Sequence, residues 1–278
     1  MSARYTLEEL LAVDLSHTIH DGEVGFTGLA TGKAATAYIT CIPMAAMELA
    51  RCTHAPNLTI LLSGVYFNPD VSKLYTLPES EYEQVLVDLP SESQMPGWPE
   101  QWHHRAGDIS FGFGSGVQVD REGNLNSTCI GDVHHPKVEL VGPIFLPEHF
   151  SCFGREYIMM PTHEKRNFVE HVDYISGVGW PGGAEGRRKL GFIGGGPKYI
   201  YTPKCIFAFD EEGVIYLKSI HPGVSKQDVI DSTGFAIPNI NEDIPITPEP
   251  TEEELHILRT QADPNGVFLG SGISAAGN

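Results

Sequence analysis

The first seventy residues alternate between helix signals and short apolar runs, and this alternation restricts the folds that the chain can adopt. A capping box of Thr6 and Glu9 opens the first helix, and Pro43 stands near the first turn of the second. The segments in chain order are a helix at 6–20, a strand at 23–27, a helix at 43–55 and a strand at 58–62. Crossover helices between parallel strands give this order, so it predicts an α/β protein.

The second half of the chain adds more strands than helices. Apolar runs predict strands at 109–119, 155–160, 172–176, 198–202, 205–209 and 214–220. Residues 210–213 (DEEG) predict a hairpin turn between the last two of these strands. Ser225 begins a short helix, and a capping box of Thr251 and Glu254 opens a last helix at 252–262.

Two segments do not fit this α/β pattern. Residues 69–105 contain five Pro and many acidic residues, which predicts an irregular insertion of the kind that covers a site or a partner surface. Residues 269–278 hold no core-forming side chains and are predicted to be disordered. We therefore predict a single domain over residues 1–268 that contains the irregular insertion.

The charge balance limits the partners of the protein. The 278 residues carry a formal net charge of −18, whereas a phosphate-backbone partner requires clustered Lys and Arg. Five scattered Cys without a C-x-x-C pair predict reduced thiols, as in a cytoplasmic protein. The chain opens without an apolar h-region, and no apolar run approaches the ~20 residues of a membrane span. We expect a soluble cytoplasmic protein with no nucleic-acid or membrane partner.

Common motifs of metal, dinucleotide and serine-hydrolase chemistry are missing. His134 and His135 are adjacent, so on a strand they would point to opposite faces, and the 12 histidines include no H-E-x-x-H pattern. The glycines of 112–116 (GFGSG) lie inside a strand pattern, which is the wrong context for a dinucleotide fingerprint. Ser63 has Leu61 where a G-x-S-x-G elbow needs glycine. We predict no metal site and no separate cofactor.

Five blocks of sequence carry a family resemblance. They are 117–128 (VQVDREGNLNST), 130–137 (IGDVHHPK), 157–180 (YIMMPTHEKRNFVEHVDYISGVGW), 221–235 (HPGVSKQDVIDSTGF) and 263–266 (DPNG). These blocks resemble the β subunit of family I CoA-transferases, most closely of the glutaconate CoA-transferase type. The resemblance implies an open three-layer α/β/α, Rossmann-like fold and a partner α subunit, usually in an α2β2 assembly. It also implies a small acyl-CoA substrate, with coenzyme A as part of the substrate, bound at the interface of the subunits.

The resemblance also indicates where the chemistry departs from transfer. In the transferases of this family, the strand after an Ala-Pro turn ends in Glu-Ser-Gly, and that Glu carries CoA as a glutamyl thioester. Counted without gaps from Ala55-Pro56, the Glu position falls on Ser63; aligned on Ser-Gly, it falls on Leu62. Neither side chain is a carboxylate. Ser63 can instead donate a hydrogen bond to a carbonyl or carboxylate.

A second departure concerns the segment that stabilises the oxyanion. The glycine-rich G-x-G-G stretch of the family corresponds here to Gly142-Pro143-Ile144-Phe145. Pro143 has no N–H and the two residues after it are bulky, so both departures argue against ping-pong transfer. The catalytic candidates are Ser63, Glu148 and His134, and the substrate-binding candidates are Gly64, His54, Asn124, Asn126, His135 and Gly142.

Three functions remain open from the sequence. The first is C–C bond hydrolysis or decarboxylation of a CoA thioester, which relatives without the Glu perform and which needs a positioned acid or base. The second is CoA transfer with a nucleophile from the α subunit or from a displaced acid. The third is a structural subunit, or an enzyme on a substrate other than a CoA ester, which the 69–105 insertion and the bulky 142–147 loop would suit.

Overall fold

The computed structural model covers most of the chain. It describes residues 4–30, 32–95 and 108–270. The predictions for residues 96–105 of the insertion and for residues 271–278 of the tail lie outside the described residues. Within the part that is described, no helix has both the length and the apolar composition to cross a bilayer.

Contacts divide the chain into two compact units. The first unit is Met1–Glu100 with Pro248–Asn278, and the second is Gln101–Thr247. Both units combine helices with a β-sheet, which confirms the predicted α/β class. The single domain over residues 1–268 stays a prediction.

Short strands and short helices alternate along both units. The helices are α1 (Leu7–Ser16), α2 (Lys33–Thr36), α3 (Ile42–Cys52), α4 (Gln84–Val87), α5 (Leu146–Cys152), α6 (Gly183–Lys189), α7 (Lys226–Ser232) and α8 (Glu252–Ile257). The strands are β1 (Val24–Thr27), β2 (Thr59–Leu62), β3 (Tyr66–Pro69), β4 (Ser91–Gln94), β5 (Phe111–Gly114), β6 (Gln118–Val119), β7 (Leu125–Asn126), β8 (Cys129–Ile130), β9 (Val138–Glu139), β10 (Arg155–Met159), β11 (Pro197–Tyr201), β12 (Cys205–Phe209) and β13 (Ile215–Ile220). Two π-helical segments, Ala37–Cys41 and Leu258–Ala262, precede α3 and follow α8.

The sheet of the first unit is mixed. β1 and β2 run parallel with Thr27 opposite Leu62, which confirms the predicted parallel pair. β3 pairs antiparallel with both β2 and β4. Because β4 falls inside residues 69–105, the insertion predicted to be irregular contributes a strand to this sheet. The carboxyl ends of β1 and β2 meet at one edge.

Two helices pack together in the first unit. Thr6 and Glu9 exchange both hydrogen bonds of the predicted capping box, at 3.1 and 2.8 Å, which confirms the predicted start of α1. α1 packs against α3, and apolar side chains of both helices, such as Leu11 and Met47, are completely buried. Burial of this apolar surface is the main term that holds the two helices together.

The second helix predicted from the sequence is α3. It begins at Ile42 with Pro43 in its first turn, which confirms the prediction, but further helical backbone precedes it from Lys33. Pro43 lacks the N–H that Ile39 O would accept in an α-helix, and the turn before it is a π-helix over Ala37–Cys41. The proline therefore marks both the first turn of α3 and a change in the helical hydrogen-bond pattern.

The second unit contains a five-stranded sheet in the order β5, β10, β11, β12, β13. β10 pairs in parallel with β5 and β11, and β12 and β13 complete an antiparallel side. Every residue of β12 is buried, and its Phe207 and Phe209 belong to the main apolar core of this unit. Gly213 N donates to Asp210 O at 3.0 Å, which confirms the predicted turn between β12 and β13.

Two strand predictions in the second unit were wrong in detail. Residues 172–176 do not form a strand, because their backbone bonds alternate between a side chain and a strand: Asp173 N donates to Gln118 Oε1 at 3.0 Å, and Ser176 N donates to Leu125 O of β7 at 2.8 Å. The predicted strand at 109–119 is divided into β5 and β6. Gly116 lies in the break between them, where an added Cβ would stand 2.4 Å from Asn126 O.

Candidate functional site

A tight turn joins β2 to β3 and carries the first catalytic candidate. Ser63 has a φ of 53° and Gly64 a φ of 68°, and Val65 N donates to Leu62 O at 3.1 Å. Both central residues of this β-turn therefore have left-handed backbone, and three residues separate the paired Leu62 and Tyr66. Glycine adopts this backbone freely, whereas a serine there costs about 1–2 kcal/mol. The structure therefore holds Ser63 in a strained conformation at the strand end.

The hydroxyl of Ser63 is buried and makes no hydrogen bond to the described residues. Among the described residues its Oγ has no hydrogen-bond partner, although its backbone N donates to Thr27 O at 2.7 Å. A buried hydroxyl without a partner costs about 1–3 kcal/mol. Strain and an unused polar group at one residue are features of functional sites. Ser63 Oγ can therefore donate a hydrogen bond to a ligand beyond the ends of β1 and β2.

His54 lies at the other end of β2 from Ser63. It precedes β2, whose four residues span about 13 Å of extended chain, whereas Ser63 follows it. Its Nδ1 is 3.0 Å from Thr53 Oγ1, and its Nε2 is 3.1 Å from Ile19 O. Within this unit the structure therefore brings together Ser63 and Gly64 but not His54.

His54 instead lines a cleft of the first unit. The cleft has a volume of about 320 Å³ and is lined by Ser16, His17, Leu49, Thr53, His54, Thr251, Glu253, Glu254 and Ile257. Nε2 of His17 lies 2.5 Å from Oε1 of Glu254, and that carboxylate also closes the capping box of α8 with Thr251. The polar groups of the cleft are thus largely engaged with one another.

In the second unit, the segment Gly142–Phe145 has strained backbone. Ile144 has a φ of 48° and is 68% exposed, and a β-branched residue at positive φ is a genuine outlier. Gly142, with a φ of 91°, donates its N–H to Ser127 O at 3.1 Å and accepts from Ser127 Oγ at 2.8 Å. The segment leads into α5, and Pro143 contributes no N–H to it.

Glu148 follows this segment on the first turn of α5. Its Oε2 is buried and has no hydrogen-bond partner among the described residues. A carboxylate oxygen in that position can accept a proton or a hydrogen bond. Gly142 and Glu148 thus both lie in the second unit, one in the segment before α5 and the other in the first turn of α5.

A buried acid–imidazole pair next to Glu148 was missed from the sequence. Nδ1 of His149 lies 3.4 Å from Oε1 of Glu156, and burial lowers the pKa of His149 to about 3. Burial also raises the pKa of Glu156 well above its ordinary value, so burial favours the neutral form of both groups. The carboxyl of Glu156 packs against two glycines of β5. A Cβ added at Gly112 would lie 3.0 Å from its Oε2, and one added at Gly114 would lie 2.8 Å from its Oε1. Alternating glycines in β5 were the only sequence signal.

Asn124 and Asn126 are buried within the hairpin of β6 and β7. Asn124 Nδ2 donates to Asp120 Oδ2 at 3.0 Å, and its Oδ1 accepts the N–H of Gly179 at 2.9 Å. Asn126 Nδ2 donates to Gln118 Oε1 and to a backbone carbonyl, at 2.8 and 2.7 Å. Because both amides are used by neighbouring residues, the geometry gives them structural work, and their role in substrate binding stays a prediction.

The adjacent histidines lie on an exposed turn between β8 and β9. The backbone N–H groups of His134 and His135 are bonded to the side chain and carbonyl of Asp132, at 2.7 and 3.0 Å. Both residues are exposed. The predicted catalytic role of His134 and binding role of His135 stay predictions.

His163, the first residue of the sequence HEKR at 163–166, is buried in the second unit. His163 contacts the hydroxyls of Thr202 and Thr233, both at 3.1 Å. Burial, together with the charges of Lys204 and His221, lowers the pKa of His163 to about 3. This block therefore stabilises the unit as a neutral polar network. Across residues 4–30, 32–95 and 108–270, no three His, Cys, Asp or Glu side chains are grouped to hold a metal ion.

Comparisons with known proteins identify the class. No protein-family model matches the chain. The chain is 33% identical to the β subunit of the 3-oxoadipate CoA-transferase of Pseudomonas knackmussii, over 93% of this chain and 94% of that protein. It is 30% identical to the β subunit of the glutaconate CoA-transferase of Acidaminococcus fermentans, over 95% of each chain. It is also 30% identical to the cholesterol ring-cleaving hydrolase IpdB subunit of Mycobacterium tuberculosis, over 77% of this chain and 86% of that protein.

Solved structures give the same class. The glutaconate CoA-transferase of Acidaminococcus fermentans matches with a TM-score of 0.76 at 28% identity, over 97% of this chain and 99% of that chain. The decarboxylase AibA/AibB matches with a TM-score of 0.73, over 96% and 99%, and at 22% identity this likeness shows the fold alone. The fold is therefore that of the CoA-transferases. The chain belongs to the family of CoA-transferase β subunits, which confirms the resemblance read from the sequence.

Proposed function

We propose that this chain is the β subunit of a heteromeric enzyme that acts on a CoA thioester by C–C bond hydrolysis or decarboxylation rather than by CoA transfer. Its relatives include subunits named for transfer and for ring cleavage, and its fold is shared with a decarboxylase. The proposal includes a CoA-transferase α-subunit homologue as partner, an α2β2 assembly and a cytoplasmic location. Coenzyme A is part of the substrate, and no further cofactor is needed.

The observation that carries this proposal is Ser63. In transfer, a carboxylate attacks the acyl carbonyl, releases CoA thiolate and forms a mixed anhydride. The thiolate then attacks the enzyme's own carbonyl and expels the acyl carboxylate, which leaves CoA on the enzyme. A serine has no carbonyl, so Ser63 cannot carry CoA as a thioester. Its strained backbone and uncommitted hydroxyl suit a hydrogen-bond donor to the substrate instead.

Hydrolysis and decarboxylation both place negative charge next to the thioester carbonyl. A donor held at that oxygen would stabilise the enolate that develops. A positioned acid or base completes such a reaction. The acid or base role of Glu148, which lies in the second unit, stays a prediction, and its Oε2 is buried without a partner among the described residues.

CoA transfer is the second candidate, and one observation favours it. The two relatives that align over nine-tenths or more of this chain are both named CoA-transferase subunits. Under this function the nucleophile would come from the α subunit or from another acid of this chain. The covalent CoA adduct would then form elsewhere than at Ser63.

The test is a product analysis of the assembled enzyme. We would purify the chain with its α subunit and supply β-keto, unsaturated and dicarboxyl CoA thioesters, with and without acetate or succinate as acceptor. Mass spectrometry should show a CoA thioester whose acyl skeleton has gained water or lost carbon dioxide, independently of the acceptor. A new acyl-CoA that appears only with the acceptor would establish transfer and exclude the proposal.

A further inference from the structure

A short loop follows β1 beside the Ser63 turn. Thr27 and Leu62 are register partners in parallel strands, and Ser63 N donates to Thr27 O. Gly28 and Ser63 therefore occupy equivalent positions beyond two strands that are about 4.8 Å apart. Ligands of open α/β sheets bind in the crevice beyond such strand ends. The loop Gly28–Ala30 consequently borders the same space as Ser63.

One buried threonine holds both ends of this loop. Thr40 Oγ1 donates to Gly28 O at 3.1 Å and accepts the N–H of Ala30 at 3.2 Å. Thr40 is only 1% exposed, so water does not compete for these bonds. A single hydroxyl therefore satisfies a carbonyl and an N–H two residues apart, and this fixes the loop in one shape.

Two further threonines connect the same segment to the helical backbone behind it. Thr36 Oγ1 donates to Ala30 O at 2.5 Å, and Thr27 Oγ1 donates to Ile39 O. Ile39 O is the carbonyl that residue 43 would bond in an α-helix, but residue 43 is a proline. The π-helical segment thus presents its carbonyl to β1, and π segments are frequent at functional sites.

Space for a ligand is present beside the loop. All three residues of Gly28–Ala30 are half-buried, and a Cβ added at Gly28 would meet no described atom within 4 Å. A loop that is fixed before binding also spares the ligand the entropic cost of ordering it. The segment therefore has the accessibility and the rigidity that a binding wall requires.

We infer that Gly28–Ala30 forms a second wall of the acyl-CoA site beside Ser63, and that Thr40 is the positioning residue that holds this wall. The inference rests on the proposed function, because it takes the space at Ser63 as the thioester site. Loss of the Thr40 hydroxyl should loosen the wall, whereas bulk at Gly28 should fill the site without loosening it.

The test uses the complex with its α subunit and the thioether analogue S-acetonyl-CoA. Calorimetry gives the affinity of the analogue, and hydrogen–deuterium exchange gives the protection of residues 28–41. The variants are Thr40→Val, Thr40→Ser and Gly28→Val. Thr260→Val is the matched control, because Thr260 lies in the other π-helical segment of the unit and donates to His256 O at 2.7 Å.

Wild type should show analogue-dependent protection at 28–30. Thr40→Val should weaken binding about tenfold, near 1.4 kcal/mol, and raise exchange at 28–30. Thr40→Ser keeps the hydroxyl and should bind within about twofold of wild type, as should Thr260→Val. Gly28→Val should also weaken binding about tenfold while exchange and Tm stay unchanged. This last variant keeps the test valid if Thr40→Val does not fold.

Two contrary results are distinguishable. Wild-type affinity in both Thr40→Val and Gly28→Val, with protection confined to the Ser63 turn, would overturn the second wall and leave the proposed function in place. An analogue that protects no part of this chain, in a complex that turns over no CoA thioester, would overturn the proposed function and the wall with it.

Discussion

His149 Nδ1 lies 3.4 Å from Glu156 Oε1, and both side chains are almost completely buried. Charging both groups there would require removing two ions from water, which costs several kcal/mol for each ion. Burial instead moves both pKa values toward the neutral forms: that of Glu156 rises and that of His149 falls to about 3. The pair therefore joins α5 to β10 without a net charge.

Glu156→Gln tests whether this carboxyl is neutral. The carboxyl of Glu156 ionises near pH 4.5 when unfolded but stays protonated in the fold. Wild type therefore loses up to about 1.4 kcal/mol of stability per pH unit above that value, and glutamine does not. The Tm of the variant complex should rise relative to wild type between pH 5 and pH 8. Glu185→Gln, at an exposed glutamate, is the control. If the Tm difference between Glu156→Gln and wild type did not change with pH, Glu156 would be ionised in the fold.

His163→Gln tests the acid limb of stability. The unfolded histidine takes up a proton near pH 6.5, whereas folded His163 resists it to about pH 3. Stability from this site is therefore full above pH 6.5 and falls by up to about 1.4 kcal/mol per pH unit below it. The variant should be less stable at pH 7, with a gap in Tm from wild type that narrows at pH 4.5. The control is His171→Gln, at an exposed histidine. Its Tm should differ little from that of wild type at both pH values.

Ser63→Ala should separate catalysis from binding. Loss of one oxyanion donor lowers kcat by about 100-fold, and KM should change less because the donor acts mainly on the developing charge. Steady-state kinetics on the thioester that wild type converts would measure both constants. Ser72→Ala, at an exposed serine of the same unit, is the matched control. A variant with wild-type kcat would remove Ser63 from the chemistry.

Ser63→Glu should restore the group that transfer requires. The hairpin can accommodate the change, because Gly64 and the flanking strands hold the turn, at a strain cost of about 1–2 kcal/mol that serine already bears. Incubation of the variant complex with an acyl-CoA should give a chain heavier by one CoA that borohydride reduces. If only the wild type formed such an adduct, its nucleophile would lie elsewhere and transfer would be favoured.

Asn126→Ala distinguishes the structural and substrate-binding roles of this amide. Asn126 is completely buried, and its Nδ2 donates two hydrogen bonds. Its removal takes one bond from Gln118 Oε1, which keeps that of Asp173 N, and one from Cys129 O, so it should cost about 1–3 kcal/mol. We expect a lower Tm with an unchanged KM in the enzyme that remains folded. A raised KM at wild-type Tm would instead assign Asn126 to the substrate.

Local signals account for the parts of the fold that the sequence predicted. Capping boxes form at Thr6, Ser225 and Thr251. In each of them a serine or threonine is followed three residues later by an acidic residue, which is a pattern visible in the sequence. The π-helical segment before Pro43 was not predictable in this way, because it depends on Thr27, which is distant in sequence. Residues 172–176 have the composition of a strand, but their bonds go partly to the Gln118 side chain and partly to β7, both distant in sequence.

The residues of the candidate site also differ in whether a local sequence signal reveals them. Ser63 was found because a polar residue ends an apolar run, but its left-handed backbone and unused hydroxyl follow from the pairing of β2 with β3. His149 and Glu156 look like surface residues in a sequence, since charged and polar side chains are seldom fully buried. Only the packing of α5 on β10 shows that both are interior.

The left-handed turn at Ser63 has an evolutionary consequence. Its shape is imposed from outside, by the pairing of Leu62 with Tyr66 and by Gly64, so the residue at 63 does little to specify the hairpin. Under the proposed function, a substitution at this position would change the chemical group offered to the substrate while the hairpin kept its form.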